Sequence, residues 1–436
     1  MRKALFVLGA SIAAALLILL GVLLPWWLMG AAVAAFAIWL GATRAGRRTG
    51  SIAAAGMATL PQRLGGASVV VVGIAGVVGV LVALLAMGQG FQSTLHATGS
   101  DDTAIVLRAG SLTEVNSGLD ENSVTLIGNE PQVMRDASGR PIASPELLVA
   151  VSLTKKSTGL AANAALRGVG PEVWALRRHV KIIAGRRFRT GMRELIVGKS
   201  AAREFLQVSI GSTVTLNGQP WKVVGEFASG DAHDSELWAD TNVVATTFHR
   251  GSSVSSVTVR LKSPKQFDAF KAALASDPQL KVEAHTTRAY YADQAKGLTK
   301  LIRILGSIVA AIMGVGAVAG ALNSMYAAVS ARTREIATLR AIGFRGAPVV
   351  ASVMIETMVL ALAGGVLGAG VAWLLFDNYT ASTMGANFSE VVFQFRVTPG
   401  LLGSGLRWAL VIGFLGGLFP ALRAARMPVT EGLREL

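Results

Sequence analysis

The sequence predicts an α-helical membrane protein with six transmembrane helices and a large external α+β domain. Three observations carry that prediction. Of the 436 residues, 52% are hydrophobic. The mean hydropathy of +0.51 is too high for a soluble chain of this length. The apolar residues gather in runs able to cross a hydrocarbon core of ~30 Å, except over residues 90–300, where polar and apolar residues mix.

Charge fixes the orientation. The formal net charge is +15. Residues 90–300 hold 25 Lys+Arg against 20 Asp+Glu, and the remainder holds 16 against 6. Thirteen of those sixteen bases lie at 2–3, 43–66, 330–346 and 423–434; the exceptions are Arg303, Arg396 and Arg407. Bases that flank apolar runs on one side orient a chain in a bilayer, so the lipid bilayer is a partner and nucleic acid is not. The chain has no cysteine, which excludes disulfides, thiolate metal sites and cysteine nucleophiles.

In chain order, residues 1–66 form a transmembrane hairpin and a basic cytoplasmic linker. The first span is 4–24. Pro25, Trp26 and Trp27 make a breaker with two interface-seeking rings, and 28–42 returns. A cleaved signal peptide with a small-residue site near Ala32, Val33 and Ala34 is the competing reading. It would leave the acid-free linker, with Arg44, Arg47, Arg48 and Arg63, on the wrong side. Residues 67–89 are the third span.

Residues 90–300 form the external domain. Strand-like runs stand at 104–108, 146–151, 194–198, 213–216, 221–227 and 254–261. Asn217-Gly218 between two of them signals a hairpin. Residues 264–276 form an amphipathic helix with Phe267, Phe270 and Leu274 on one side. Residues 286–300 read as a helical stalk rising into the fourth span, 301–326. The fifth span is 347–376, the sixth is 400–422, and a short outer loop at 377–399 joins them. The bundle and its tail take up 301–436.

Between the fourth and fifth spans lies 330–346, SARTREIATLRAIGFRG. Arg332, Arg334, Arg340 and Arg345 stand there against one acid, Glu335. As a helix, this segment has an apolar side of Ile336, Leu339, Ala341 and Ile342; Gly343 ends it and Pro348 opens the next helix. Two readings remain open for it: a lever that passes a push from a soluble partner into the membrane, and a positive loop that only sets topology.

This stretch, R-x-R-E-I-A-T-L-R-A-I-G-F at 332–344, with Glu356 and the glycines Gly364, Gly365 and Gly368, resembles the permease signature of the MacB/FtsX-type ABC transporter family. Residues 416–436, GGLFPALRAARMPVTEGLREL, resemble that family's closing motif. RGVG at 167–170, IIAGRRF at 182–188 and ELIVGKSAA at 194–202 resemble its external core domain. The family pattern has four spans, so the first two spans here are extra.

The resemblance implies a permease subunit in a bacterial inner membrane, working by mechanotransmission in efflux or extraction of a substrate. Cytoplasmic ATPase subunits, which bind ATP and Mg, would dock on Arg334, Glu335, Ile336, Leu339, Arg340, Ala341 and Gly343. Pro420, Arg423, Arg426 and Leu433 would make a second contact. It further implies a second permease chain and allows a periplasmic adaptor. The alternative is an FtsX-like scaffold that activates an external cell-wall hydrolase.

The chain itself offers no catalytic residue, bound cofactor or metal site. Gly198-Lys199-Ser200 ends like a phosphate loop, but Arg193 stands where that loop needs glycine. Asp231, His233 and Asp234 read as a solvated turn rather than metal ligands. Arg177, Arg178, Lys181, Arg186, Arg187, Arg189 and Arg193 form a basic cluster, suited to an acidic partner or anionic head groups and equally to a solvated face. Glu356, inside the fifth span, needs a structural partner, since no second intramembrane carboxylate makes a relay. Gly316/Gly320, Gly364/Gly368 and Gly413/Gly417 have the spacing that lets helices approach closely.

Overall fold

The computed structural model describes residues 2–58, 64–342 and 346–428. In chain order these form α1 (Arg2–Leu23), α2 (Trp26–Ala42), α3 (Arg44–Ala58), α4 (Leu64–Thr98), β1 (Thr103–Arg108), α5 (Glu121–Asn129), β2 (Ala143–Thr154), β3 (Ala161–Val169), α6 (Val173–Leu176), β4 (Lys181–Gly185), β5 (Glu194–Gly198) and α7 (Lys199–Glu204). Then come β6 (Thr213–Leu216), β7 (Gln219–Ala228), β8 (Glu236–Asp240), α8 (Thr241–Thr247), β9 (Ser256–Arg260), α9 (Phe267–Ser276), β10 (Val282–Thr286), α10 (Thr287–Ala331), α11 (Thr333–Ala341), α12 (Gly346–Phe376), β11 (Thr380–Met384), β12 (Glu390–Gln394) and α13 (Pro399–Arg426). They divide into a membrane unit, residues 1–88, 301–379 and 396–436, and a soluble unit, residues 89–300 and 380–395.

In the membrane unit, α4, α10, α12 and α13 are each long and apolar enough to cross a bilayer. Among the described residues the count of six expected from sequence is not reached. Residues Ser11–Leu23 and Trp26–Ala42 pass only as a pair bent by 92°, which raises the count to five if they form one broken span. Pro25, extended at φ −60 and ψ 144, makes the break. A bend of 92° leaves α1 and α2 crossed, not side by side, so the tight hairpin is corrected. α1 instead lies on α13: the ideal Cβ of Gly21 would stand 2.9 Å from Val411, and Arg407 donates to the Leu24 carbonyl at 3.2 Å. The linker forms α3, which packs on α12.

Glycines set the closeness of the bundle. A Cβ at Gly364 would stand 2.8 Å from the Val71 carbonyl of α4, and one at Gly368 would run into the Ala75 carbonyl. On α13, Gly413 meets Ala361, and Gly417 would meet Thr357 Oγ1 at 2.7 Å. These two pairs close on neighbouring helices. The third pair does not: Gly316 has nothing within 4 Å, and Gly320 meets only Val69 at 3.8 Å.

The soluble unit is built on one sheet of ten strands, ordered β10-β1-β9-β2-β3-β8-β5-β7-β4, with β6 pairing β7. All its pairings are antiparallel except β3 with β8 and β5 with β7. Asn217 and Gly218 turn β6 into β7 with φ of 46 and 73, the left-handed values that a tight hairpin requires. One core gathers around Trp221, Phe205 and Leu237 under β2, β3 and β5–β8. A second gathers around Phe270, Leu274 and Val257 under β1, β9 and α9. Each large apolar side chain so buried contributes about 1.5–3 kcal/mol.

Residues 377–399 were expected as a loop of the bundle. Instead β11 and β12 form a hairpin that folds with the soluble unit. Lys155 Nζ binds Glu390 at 2.8 Å, and Val392 N donates to Ser235 Oγ at 2.9 Å.

Candidate functional site

The segment expected as one helix over 330–346 is two pieces. α10 runs to Ala331, Arg332 leaves helical geometry at φ −112 and ψ 14, and α11 restarts at Thr333. Thr333 Oγ1 donates back to the Ser330 carbonyl at 2.8 Å, a bond that competes with the helix ladder at the break. Ile336, expected on the partner-facing side, is buried in the bundle core, and Ala337 is buried beside it. The reason is packing: a nine-residue helix is held only by the apolar face it gives its own bundle. Arg334, Glu335, Ala341 and Ile342 are exposed, Ile342 at 72%. The Arg340 guanidinium donates to the Met427 carbonyl, tying α11 to the end of α13. The Leu339 side chain, Gly343 and Leu433 lie outside the described residues.

Glu356 is buried ten residues into α12, about 15 Å along its axis. Arg332 at the helix break reaches it, Nη1 to Oε2, at 3.4 Å, and holds Glu335 at 2.9 Å through Nε. Glu356 also borders a cavity of about 200 Å³ lined by Ala67, Val70, Met325 and Leu360. On α13, Pro420 is buried, Arg423 stands 5.5 Å over the Tyr326 ring and Arg426 is exposed.

The soluble unit hides a second arrangement that sequence reasoning missed. Arg167 of β3 is 1% exposed and contacts three carboxylates: Glu114 at 2.6 Å, Glu146 at 2.8 Å and Glu236 at 2.8 Å. Arg177 grips Glu146 in a fork at 2.5 and 2.9 Å. Its Nε donates to His233 Nε2 at 3.1 Å, and Trp238 Nε1 donates to Glu236 at 2.7 Å. His233 Nδ1 lies 3.0 Å from Glu236 Oε2 without the alignment of a hydrogen bond.

Strand register assembles this network, with Arg167 opposite Leu148 of β2 and Trp238 of β8. The first turn of α10 joins it: Glu114 N donates to Tyr290 OH at 3.1 Å, and the Tyr291 ring meets His233 edge-on at 5.9 Å. Burial pushes the Glu146 carboxyl up, but the Arg177 and Arg167 guanidiniums outweigh it and hold it below the usual range. Burial likewise opposes ionisation of Glu236, and Arg167 holds it well below that range. The one sequence signal was a charge set among apolar neighbours in each strand, as in ALRGV, PELLV and SELWA.

Other residues singled out from sequence take structural places. Asp231 and His233 are buried rather than solvated: Asp231 binds His179 at 2.9 Å, and the Asp234 carboxylate accepts from Ser229 N and Gly230 N. The basic cluster is dispersed. Arg177 is buried, Arg186 pairs with Glu194 at 2.6 Å, Arg187 stacks over Trp174 at 4.1 Å and Arg193 bonds Gln219. Gly198 packs on the Asp234 backbone, so protein fills the turn that resembled a phosphate loop.

A model of the MacB-like periplasmic core domain matches residues 67–277, and one of the FtsX-like permease C-terminal domain matches residues 307–429. The uncharacterized ABC transporter permease YknZ of Bacillus subtilis (strain 168) is 27% identical over 276 residues, 58% of this chain and 66% of that one. The macrolide export ATP-binding/permease protein MacB of Bordetella avium is 25% identical over 329 residues, 71% of this chain and 48% of that one. The chain thus spans about half to two-thirds of the length of these relatives. The crystal structure of the periplasmic region of MacB from Actinobacillus actinomycetemcomitans aligns with 46% of this chain and 92% of that one, at 16% identity and a TM-score of 0.34. With a core-domain match before α10 and a permease match from α10 onward, the chain belongs to the MacB/FtsX-type ABC transporter permease family.

Proposed function

We propose that the chain is the membrane subunit of a bacterial inner-membrane ABC transporter that works by transmitting movement. ATPase subunits bind ATP and Mg on the cytoplasmic side and press on the exposed side of α11. The movement passes along α10 to the soluble unit, outside the membrane, which acts there on a substrate for efflux or extraction. No residue of the chain is assigned a catalytic role.

One observation carries this reading. α10 is a single helix of 45 residues, about 68 Å long. It begins in the soluble unit, where Tyr290 and Tyr291 lie on the buried charge network, and its last residue stands two before α11. A helix that enters the ligand-handling unit at one end and adjoins a surface helix at the other has the form of a two-ended transmission element. A second permease chain is part of this reading, supported by α10, where Ile308 and Ile312 are exposed beside the uncovered Gly316.

The test is co-purification from the native membrane. An ATP-binding chain should accompany the protein, and hydrolysis should need that chain. Steady hydrolysis by the purified chain alone would overturn the reading.

A further inference from the structure

We propose that the soluble unit carries an oxyanion-binding site, for the carboxylate or phosphate of a small molecule, in the cavity between Arg178, Arg260 and the facing ends of α4 and α10. The cavity holds about 320 Å³, at the low end of small-molecule pockets (~300–1,000 Å³). Arg178 follows α6, Arg260 and Thr258 come from β9, and Thr98–Ser100 and Thr287 complete the lining.

Charge in this cavity is unbalanced. Arg177 also lines it but is spent on Glu146. Arg178 makes no ion pair among the described residues. Arg260 donates through Nη2 to the Leu176 carbonyl at 3.0 Å and lies 3.5 Å from Asp102, a loose contact. The lining thus sets two guanidiniums, Arg178 and Arg260, against one carboxylate, Asp102, which already accepts from Ser100 Oγ. Burial lowers the Arg260 pKa; Asp102 opposes that and the like charge of Arg178 adds to it.

Donors are also left over. Arg260 Nε is buried and has no partner among the described residues, and the same holds for Thr258 Oγ1, on a side chain 3% exposed. A buried donor without a partner destabilises the fold, and an oxyanion accepting from it recovers that loss. Guanidinium and hydroxyl donors together are the usual recognition set for carboxylate and phosphate. The α10 N-terminus at Thr287 adds a dipole of the right sign. An oxyanion here would reach the sheet, the end of α4 and the start of α10 at once. The proposal does not depend on the transport reading.

Inorganic phosphate and succinate, each titrated calorimetrically into the full chain in an uncharged detergent, test the site. At least one should give saturable one-site heat; phosphate alone would mark a phosphate ligand and succinate alone a carboxylate. Arg178→Ala, on an exposed side chain that folding does not need, should weaken that binding about tenfold. Thr258→Val, which keeps the shape, should weaken it severalfold. No saturable heat from either probe below about 10 mM overturns the proposal, as does binding that Arg178→Ala leaves unchanged.

Discussion

Arg332 Nη1 lies 3.4 Å from Glu356 Oε2, so the residue that breaks α10 from α11 also neutralises the buried carboxylate of α12. The side chains are 13% and 7% exposed. An ion pair removed this far from water is costly to break on one side only. Arg332→Ala, which removes a hydrogen-bonded charge from Glu356, should therefore destabilise the membrane unit by about 1.5–3 kcal/mol. The double substitution Arg332→Met with Glu356→Leu should recover most of that loss. Thermal unfolding of the wild type, Arg332→Met, Glu356→Leu and the double variant in nanodiscs gives the coupling; additive losses would show that the two residues act separately.

The glycine geometry makes a second prediction. Gly368→Ala drives a methyl into the Ala75 carbonyl, a backbone atom that cannot turn away, and should cost about 1–3 kcal/mol. Gly316→Ala meets nothing within 4 Å and should be neutral or slightly stabilising in the isolated chain. The same unfolding assay measures both, and equal effects would contradict the packing described.

The buried network sets a pH dependence. Glu146 and Glu236 titrate lower in the folded chain than unfolded. Their contribution is therefore complete above the unfolded carboxylate value of about 4.3 and is lost as pH falls through the lower folded values. Between pH 7 and about 5 they should add almost no slope, and below pH ~4 each adds up to about 1.4 kcal/mol per unit. Glu146→Gln should remove part of that acid slope. Emission from Trp238, whose Nε1 donates to Glu236, follows the transition during acid titration.

Much of this fold was legible, for local reasons. The run at 221–227 became part of β7, and Asn217-Gly218 became its hairpin turn. Of the helix expected over 264–276, Phe267–Ser276 forms α9, which buries Phe270 and Leu274 and packs Phe267 partly against the same core. What failed depended on distant partners. β3 has the sequence AANAALRGV, whose alanines carry no strand signal, and it became a central strand because β2 and β8 flank it. Arg167 meets Glu114 and Glu236 across 53 and 69 residues, a span that no periodicity reports. Pro25 marked the break after α1, but not its 92° angle or its partner on α13, whose Arg407 holds Leu24 and stacks over Trp26. The apolar side of α11 was visible too; that Ile336 turns toward the protein's own bundle was not.

Topology can be read with single cysteines, because the chain has none of its own. Ser138 lies in an exposed turn of the soluble unit, and Ser51 is exposed on α3. An impermeant thiol reagent added to intact cells should label Ser138→Cys and spare Ser51→Cys. The opposite pattern would invert the orientation argued from the arginines.

The central claim is that the exposed side of α11 is where an ATPase pushes, and Ile342→Asp tests it most directly. Ile342 is 72% exposed at the end of α11, so a carboxylate there disturbs no core of this chain. Buried under a docked partner, that carboxylate would be an unpaired charge in an apolar contact. The account predicts normal insertion and thermal stability for Ile342→Asp, with loss of ATPase co-purification and of permease-stimulated hydrolysis. A stably inserted Ile342→Asp chain that retains both at wild-type level would contradict it and leave α11 as a helix that only sets topology.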